Sequence, residues 1–540
     1  MKKNIKEKIL QNWKSGVTVS VVSIPLSISL AVAAGATPLM GIITAIWAGL
    51  VASMIGGSNF NIVGPTGALS GILIVYAVKY GIGILPTLAI LAGIMTLIVY
   101  MLRWERYIVF IPSSVVHGFT LGVAFIIGLG QVNAALGLKN LPVHESLVEN
   151  LYESILHINL THSWTVLLFL VGFVFLFAWK KVFPRIPGVI ALAPMGILLG
   201  WLSQAGIIGV QFQTLFSKFG DISGNLFSMP KIALVFNQEM FLGAAAISVV
   251  AILETIMSAK IADGMTKTKH NTRKEVLAVG VSNIVSGFFG GIPATAALAR
   301  TSLNVKSGAN DKMSATISSI FVLIISAMLL FAFKYLPLPV VASILIFTAT
   351  QMVEREHFEK IYKNDKTAFL LAMAVAAITI VEDPIMGILI GSMAALLLFA
   401  NKMSRAKTEI NINRDGKLVG RLNAKEFNRT KDHGDTLVYR FAGQLTYVNA
   451  QSHMSNVARI SDETKTVVFS FRNLFFFDMD GLEIIKEMVE TMEMRGKKVY
   501  MSSVGGALER ALKKEKWFIK MTEEKKVFDS TKNALEKGDK

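Results

Sequence analysis

Between residues 15 and 402 the chain is a succession of apolar runs, most of them close to the length of a bilayer crossing. A crossing needs about 20 apolar residues. Such runs stand near 15–34, 38–55, 84–102, 113–135, 164–182, 186–205, 241–262, 276–290, 313–333, 337–352, 367–382 and 385–402. Lipid offers no partners for backbone N–H and C=O groups, so each run is predicted to be a helix that satisfies its own backbone. The whole chain is 53% hydrophobic and only 17% charged, against roughly a quarter charged in soluble domains. It contains no cysteine. That excludes disulfides, cysteine-ligated metals, iron–sulfur clusters and a cysteine nucleophile.

Two further apolar segments, 61–78 and 291–305, are short and broken by Gly or Pro. Counting them gives fourteen spans, which puts both chain ends on one side. Lys and Arg test which side, because they gather in cytoplasmic loops. Twenty-three fall on the side of the N-terminus and five on the other: Lys79, Lys139, Lys218, Lys231 and Lys334. Both termini are therefore expected in the cytoplasm, in a bacterial inner (cytoplasmic) membrane. The formal net charge of +17 is explained by orientation, and no nucleic-acid partner is implied. The basic stretch 1–14 leads into a full span with no A-x-A end, so it does not read as a cleavable signal.

Fourteen spans divide into seven and seven, and the broken segments are the third of each half. Val63-Gly64-Pro65-Thr66-Gly67-Ala68 corresponds to Gly290-Gly291-Ile292-Pro293-Ala294-Thr295-Ala296. An odd number of spans per half inverts the two repeats. Paired interrupted helices mark the substrate site of such transporters. An unwound stretch exposes backbone N–H groups, and the helix that follows points its positive end at the gap. Two of these facing each other make an anion site. The candidate substrate residues are Pro65, Thr66, Gly67 and Ala68, then Ala294, Thr295 and Ala296. Arg300, placed about two turns into the second half-helix, adds a full positive charge. The plainer reading, a kink at Gly-Pro, fits one such segment better than a matched pair.

These residues also carry a family resemblance. Ile24-Pro25 through Ala34-Gly35, Ile55-Gly56-Gly57 with Gly64-Pro65-Thr66-Gly67, Ile111-Pro112 with Val116-His117-Gly118-Phe119-Thr120-Leu121-Gly122, Glu254 to Asp263-Gly264, and Gly290 to Thr295 with Ala299-Arg300-Thr301 resemble, in order and spacing, the motifs of the sulfate permease family. These are the bacterial relatives of the animal solute carrier 26 anion transporters. The resemblance implies a core domain of spans 1–4 and 8–11 moving against a gate domain of spans 5–7 and 12–14. It places the substrate between spans 1, 3, 8 and 10, implies elevator-type alternating access, and implies a homodimer. Two positions depart from the family. Leu26 stands where Gln is common, and Leu30 where an aromatic is usual. This version is more similar to the bicarbonate-transporting branch, although Arg300 is retained. Ser27 and Ser29 are candidates to supply hydroxyls in place of the Gln.

Glu254 is the one acid deep in an apolar span, and an ionisable residue there is a functional candidate by default. It could carry a proton, or it could bind Na⁺ together with Ser258 and Thr66. The plainer alternative is that it pairs with Arg300. Asp263 reads as a solvated cap, Lys260 as snorkelling, Glu382-Asp383-Pro384 as an outer turn, and His117 as a hydrogen-bonded structural residue. No His stands at a recognised ligand spacing, so neither a structural metal nor any cofactor beyond a coupling H⁺ or Na⁺ is expected.

Residues past 403 read as soluble. The expected division is a transmembrane domain over 1–405, a linker over 406–433 and a small α/β domain over 434–535. Strands are predicted at 436–441, 466–471 and 498–502, with helices over 481–495 and 507–514. Leu445-Thr446-Tyr447-Val448-Asn449-Ala450 resembles a motif of the STAS domain, which the family carries at this end and which could engage a cytoplasmic partner. Where phosphorylated STAS domains carry a Ser or Thr before Gly, this chain reads Asp478-Met479-Asp480-Gly481. Asp480 is read either as a fixed mimic of the phosphorylated state or as a helix cap, and both Asp478 and Asp480 are regulatory candidates.

The leading reading is a secondary active transporter of small anions (bicarbonate, sulfate or a dicarboxylate) coupled to H⁺ or Na⁺. The alternatives are a passive anion channel, an anion sensor signalling through the tail, or a nucleobase permease of the related fold. No nucleophile–base–acid set or phosphate loop appears, so an enzyme is not expected.

Overall fold

The computed structural model describes residues 5–538 apart from 143, 145, 185, 221, 223, 228, 230–236, 383, 406–407, 415–416, 428 and 431. Arg185, Lys231, Asp383 and Lys407, used in the charge and turn arguments, lie outside the described residues, as do Met1 to Asn4. The chain forms two compact units, Met1–Ala395 and Leu396–Lys540.

A helix stands at each of the fourteen expected positions. They are α1 (Ile5–Ala33), α2 (Pro38–Ile55), α3 (Gly67–Tyr80), α4 (Leu85–Met101), α5 (Ser113–Leu129), α6 (Ser163–Val182), α7 (Val189–Gln204), α8 (Gln238–Thr266), α9 (Thr272–Phe288), α10 (Leu298–Lys306), α11 (Met313–Phe333), α12 (Leu338–Met352), α13 (Lys366–Val381) and α14 (Pro384–Met403). Among the described residues, nine helices are long and apolar enough to cross a membrane unaided, and α3, α7 and α13 are shorter apolar helices. α9 and α10 meet neither measure. α9 carries Arg273, Lys274 and Glu275 in its first turn, and α10 has only nine residues.

Glycine brings several of these helices into backbone contact, as small residues do between membrane helices. A Cβ on Gly93 of α4 would stand 2.6 Å from the Gly280 carbonyl oxygen of α9. One on Gly118 of α5 would stand 2.3 Å from the Ala372 carbonyl oxygen of α13, and one on Gly41 of α2 2.3 Å from that of Ser27 in α1. α3 meets α5 differently. A Cβ on Gly67 would touch the Ile127 Cδ1 methyl, and one on Gly71 would meet Pro384 and Ile126 side-chain carbons.

The first unit also has two-residue strands, β1 (Val63–Gly64) and β2 (Thr295–Ala296), paired antiparallel. They are the two broken segments.

The second unit is a six-stranded mixed sheet. Its strands are β3 (Thr408–Arg414), β4 (Lys417–Asn423), β5 (Thr436–Leu445), β6 (Thr466–Phe477), β7 (Lys498–Ser502) and β8 (Val527–Phe528), in the order β4-β3-β5-β6-β7-β8. β5 to β8 are parallel, and β3 is antiparallel to both neighbours. The span 406–433, expected as a linker, therefore carries a hairpin, β3 and β4, both of whose strands belong to the sheet. The signal is short: Ile410 and Ile412 alternate with polar residues, and Ile410 enters the core. Helices 450–458, 479–494, 506–512, 516–523 and 531–538 complete the unit. His453 is fully buried and bonded through Nδ1 to the Tyr439 hydroxyl at 2.9 Å. Burial lowers its pKa to about 4 and raises that of Tyr439.

Candidate anion-binding site

The two broken segments are joined to each other. Val63 pairs with Ala296 and Gly64 with Thr295, and the Ala297 N–H donates to the Ile62 carbonyl at 2.9 Å. Extended backbone has no helical partners inside lipid. The ladder satisfies part of each segment with the other. It also brings the starts of α3 and α10 together. α3 follows Thr66 and α10 follows Ala297, and neither helix has a side-chain cap. Their first N–H groups are the free donors that the sequence pattern called for.

Arg300 lies beside this junction. It is the third residue of α10, not two turns in, because the extended stretch runs to Ala297 and delays the helix. Its guanidinium is 2% exposed. One nitrogen donates to the Pro65 carbonyl at 2.5 Å and the other to Ser27 Oγ of α1 at 3.5 Å. Gly64 leaves room for it, since a Cβ there would stand 2.8 Å from the Arg300 Nη1. Its hydrogen-bond acceptors are neutral, and the charged group that acts on it is Glu254; with that acid protonated, the buried cation favours an anion nearby.

Several buried hydroxyls around the first segment have no hydrogen-bond partner: Ser23, Ser29 and Thr66. Ser29 follows Ser27 by two residues, roughly 200° around the helix, so these two do not share a face. Ser23, one turn before Ser27, does. Ala68 and Gly67 are buried at the start of α3.

The second segment is held on every side. Asn283 of α9 donates to the Ala294 carbonyl at 2.9 Å and accepts from its N–H at 2.7 Å. Thr44 accepts from the Ile292 N–H at 2.7 Å, and Ser286 donates to the Ile292 carbonyl. The Thr295 hydroxyl is bonded to Thr255 and to the Ala251 carbonyl. Ala294 and Ala296 are fully buried.

Glu254 lies on α8 and is 8% exposed. Thr66 and Arg300 are its electrostatic neighbours. A small cavity beside it is lined by Val115, Val116 and Phe119 of α5 and by Ile388. Ser258 points elsewhere, donating to Thr301 Oγ1 at 2.8 Å. The structure thus brings Glu254 and Thr66 together and gives Ser258 another partner.

Sequence reasoning passed over Glu275. Its carboxylate accepts from the Gly57 and Ser58 N–H groups at 2.6 and 2.7 Å and from Asn61 at 2.6 Å. It therefore pins the loop that leads into the first segment. Asp263 accepts from the N–H and ring of His270, and Lys260 is exposed. His117 forms no hydrogen bond of the expected kind. It lies 3.5 Å from Glu354 and its ring is 3.6 Å from that of His357. In the second unit, Asp478 caps helix 479–494, accepting from Gly481 at 2.9 Å and from Tyr447 at 3.0 Å. Asp480 is exposed in its first turn.

Comparison with known proteins follows the same division. Residues 9–375 match the model of the sulfate permease family, and residues 428–534 match that of the STAS domain. A Bacillus subtilis protein named as a sulfate transporter, YvdB, is 28% identical over 95% of each chain. The bicarbonate transporter BicA of Picosynechococcus is 23% identical, over 96% of this chain and 94% of its own. The fold is shared with murine solute carrier 26 family member A9, an anion transporter. There the TM-score is 0.85 at 15% identity, covering 99% of this chain and 92% of that one.

Proposed function

The chain belongs to the sulfate permease family of membrane transporters, and from that premise we propose that it is a secondary active transporter of small oxyanions. Its substrate class is bicarbonate or sulfate, as the names of its relatives suggest, or a dicarboxylate, whose charge the same site would accept. The observation that carries the reading is Arg300, buried between two uncapped helix starts with only neutral acceptors. The anion binds there, against Arg300, the α3 N-terminus and the free hydroxyls of Thr66 and Ser23, with Ser27 beside Arg300. Pro65, Gly67, Ala68, Ala294, Thr295 and Ala296 frame the backbone around it, and Ser29 lies on the far side of α1.

Coupling runs through Glu254. A protonated Glu254 leaves the Arg300 charge uncompensated and favours the anion; an ionised one opposes it. Na⁺ beside Glu254 and the Thr66 hydroxyl would act in the same sense; Ser258, which donates to Thr301, keeps oxygen lone pairs for the ion. Access alternates by movement of α1–α4 and α8–α11 against the other spans, in a homodimer of the bacterial inner membrane with both termini cytoplasmic. The tail, with Asp478 fixed as a cap and Asp480 exposed, offers a surface to a cytoplasmic partner.

Purified protein in proteoliposomes, given labelled bicarbonate, sulfate and dicarboxylates with and without Na⁺ and a pH gradient, tests the proposal. Accumulation of one of them above its outside concentration is expected. Flux that never exceeds equilibrium would make the protein a channel and overturn active transport. Glu254→Gln is expected to uncouple uptake from the driving ion. Unchanged uptake with unchanged Na⁺ and pH dependence would remove Glu254 from coupling.

A further inference from the structure

We propose that His117, Glu354 and His357 form a binding site for a divalent transition-metal ion, best filled by Zn²⁺. His117 lies in the first turns of α5. Glu354 and His357 lie more than two hundred residues later, at the start of the amphipathic helix Arg355–Asn364. Each residue offers one donor atom, and the three donors lie within 4.8 Å of one another. His117 Nδ1 stands 3.5 Å from Glu354 Oε2, near the roughly 3.3 Å edge of a tetrahedron built on Zn bonds of about 2.0 Å. Contraction of the widest separation, at most 4.8 Å, by up to about 1.5 Å closes the set.

None of the three side chains is otherwise employed. His117 is 8% exposed. His357 Nε2 is buried with no hydrogen-bond partner, an expensive position for a polar atom. Glu354 precedes its helix but does not cap it. Two imidazoles whose centres are 3.6 Å apart, with a carboxylate beside them, are relieved by a shared cation. Two His and one carboxylate with an open fourth place is a donor set that Zn²⁺ takes.

Glu354 and His357 also line a cavity bounded by Lys180, Gln351, Arg355 and Lys360. It gives the ion a way in and a water a place as fourth ligand. Its three cations outnumber its two carboxylates, Glu354 and Glu356, and only Glu354 belongs to the donor set, which disfavours Ca²⁺ and Mg²⁺, ions that need several charged oxygens. Neutral imidazoles suit the softer metals. The ion would tie the start of α5 to the corner after α12, two points joined by no covalent neighbour.

Full-length protein in nanodiscs is titrated with Zn²⁺ against a chromophoric chelator, and separately with Co²⁺, whose visible absorption reports four-coordination. One ion per chain, a raised unfolding midpoint and the Co²⁺ bands are expected, with no competition from excess Mg²⁺. E354Q and H357N should each lower affinity about 10- to 100-fold and remove the bands. Weaker pairs such as His144 with Glu149 and His157 with Glu153 form a background that these variants leave in place. Glu354 is 41% exposed, so E354Q is expected to fold even where H357N does not. Absence of stoichiometric binding to the unaltered chain, or binding that survives E354Q, overturns the proposal.

Discussion

The two broken segments occupy equivalent places in the two halves, yet they are built to opposite ends. The second, from Ile292 to Ala296, has its polar groups bonded to α2, α8 and α9. The first, from Val63 to Ala68, keeps a free Thr66 hydroxyl and offers its Pro65 carbonyl to Arg300. A matched pair of motifs is thus one rigid member and one open member. The rigid one holds the ladder and presents Arg300; on the proposed reading, the open one faces the anion.

The largest test of that asymmetry is Arg300→Ala. Losing the buried charge is expected to lower uptake by about 100-fold or more, while Arg300→Lys, which keeps a charge without the planar fork, retains part of it. Asn283→Ala strikes the rigid member. It removes three buried hydrogen bonds, two of them to Ala294, and should cost roughly 2–4 kcal/mol of stability, read as a fall in unfolding midpoint; a drop in uptake with no loss of stability would reverse the assignment of roles. Gly64→Ala strikes the open member by pushing a Cβ into the guanidinium, and uptake should fall about tenfold, equivalent to about 1.4 kcal/mol, with the midpoint nearly unchanged. The finest comparison is between the two threonines. Thr66→Ala removes only the hydroxyl that faces Glu254 and should spare stability while weakening anion binding a few-fold. Thr295→Ala should do the reverse, costing about 1–2 kcal/mol of stability. If both variants behave alike, the asymmetry fails.

What the sequence disclosed follows the reach of each signal. Apolar runs and Gly-Pro interruptions are local, and all fourteen helices and the meeting of the two segments were legible from them. The start of α10 was misplaced, because a two-residue strand leaves no periodicity to read. Ser23, Thr44, Asn283 and Glu275 escaped notice, since a polar residue within an apolar run shows no partner until the helices pack. Ser29 was chosen by nearness in sequence where helical phase favours Ser23. The pair Glu354 and His357, three residues apart, was passed over as a ligand spacing, and the third member, His117, is distant along the chain. The hairpin over 408–423 hid in a stretch of ordinary polarity.

The glycine contacts have a bearing on motion. Where α4 meets α9, α5 meets α13 and α1 meets α2, backbone lies against backbone; such seams lock like notched timber, since sliding would drive a carbonyl into the next turn. Where α3 meets α5 and the start of α14, the contact is methyl groups and the Pro384 ring, a surface that can slip. The distribution of small residues therefore works as a map of joints. On the proposed reading of alternating access, bulk added at Gly93 would split a seam inside one block, whereas bulk added at Gly71 would act as a wedge at a surface between the blocks.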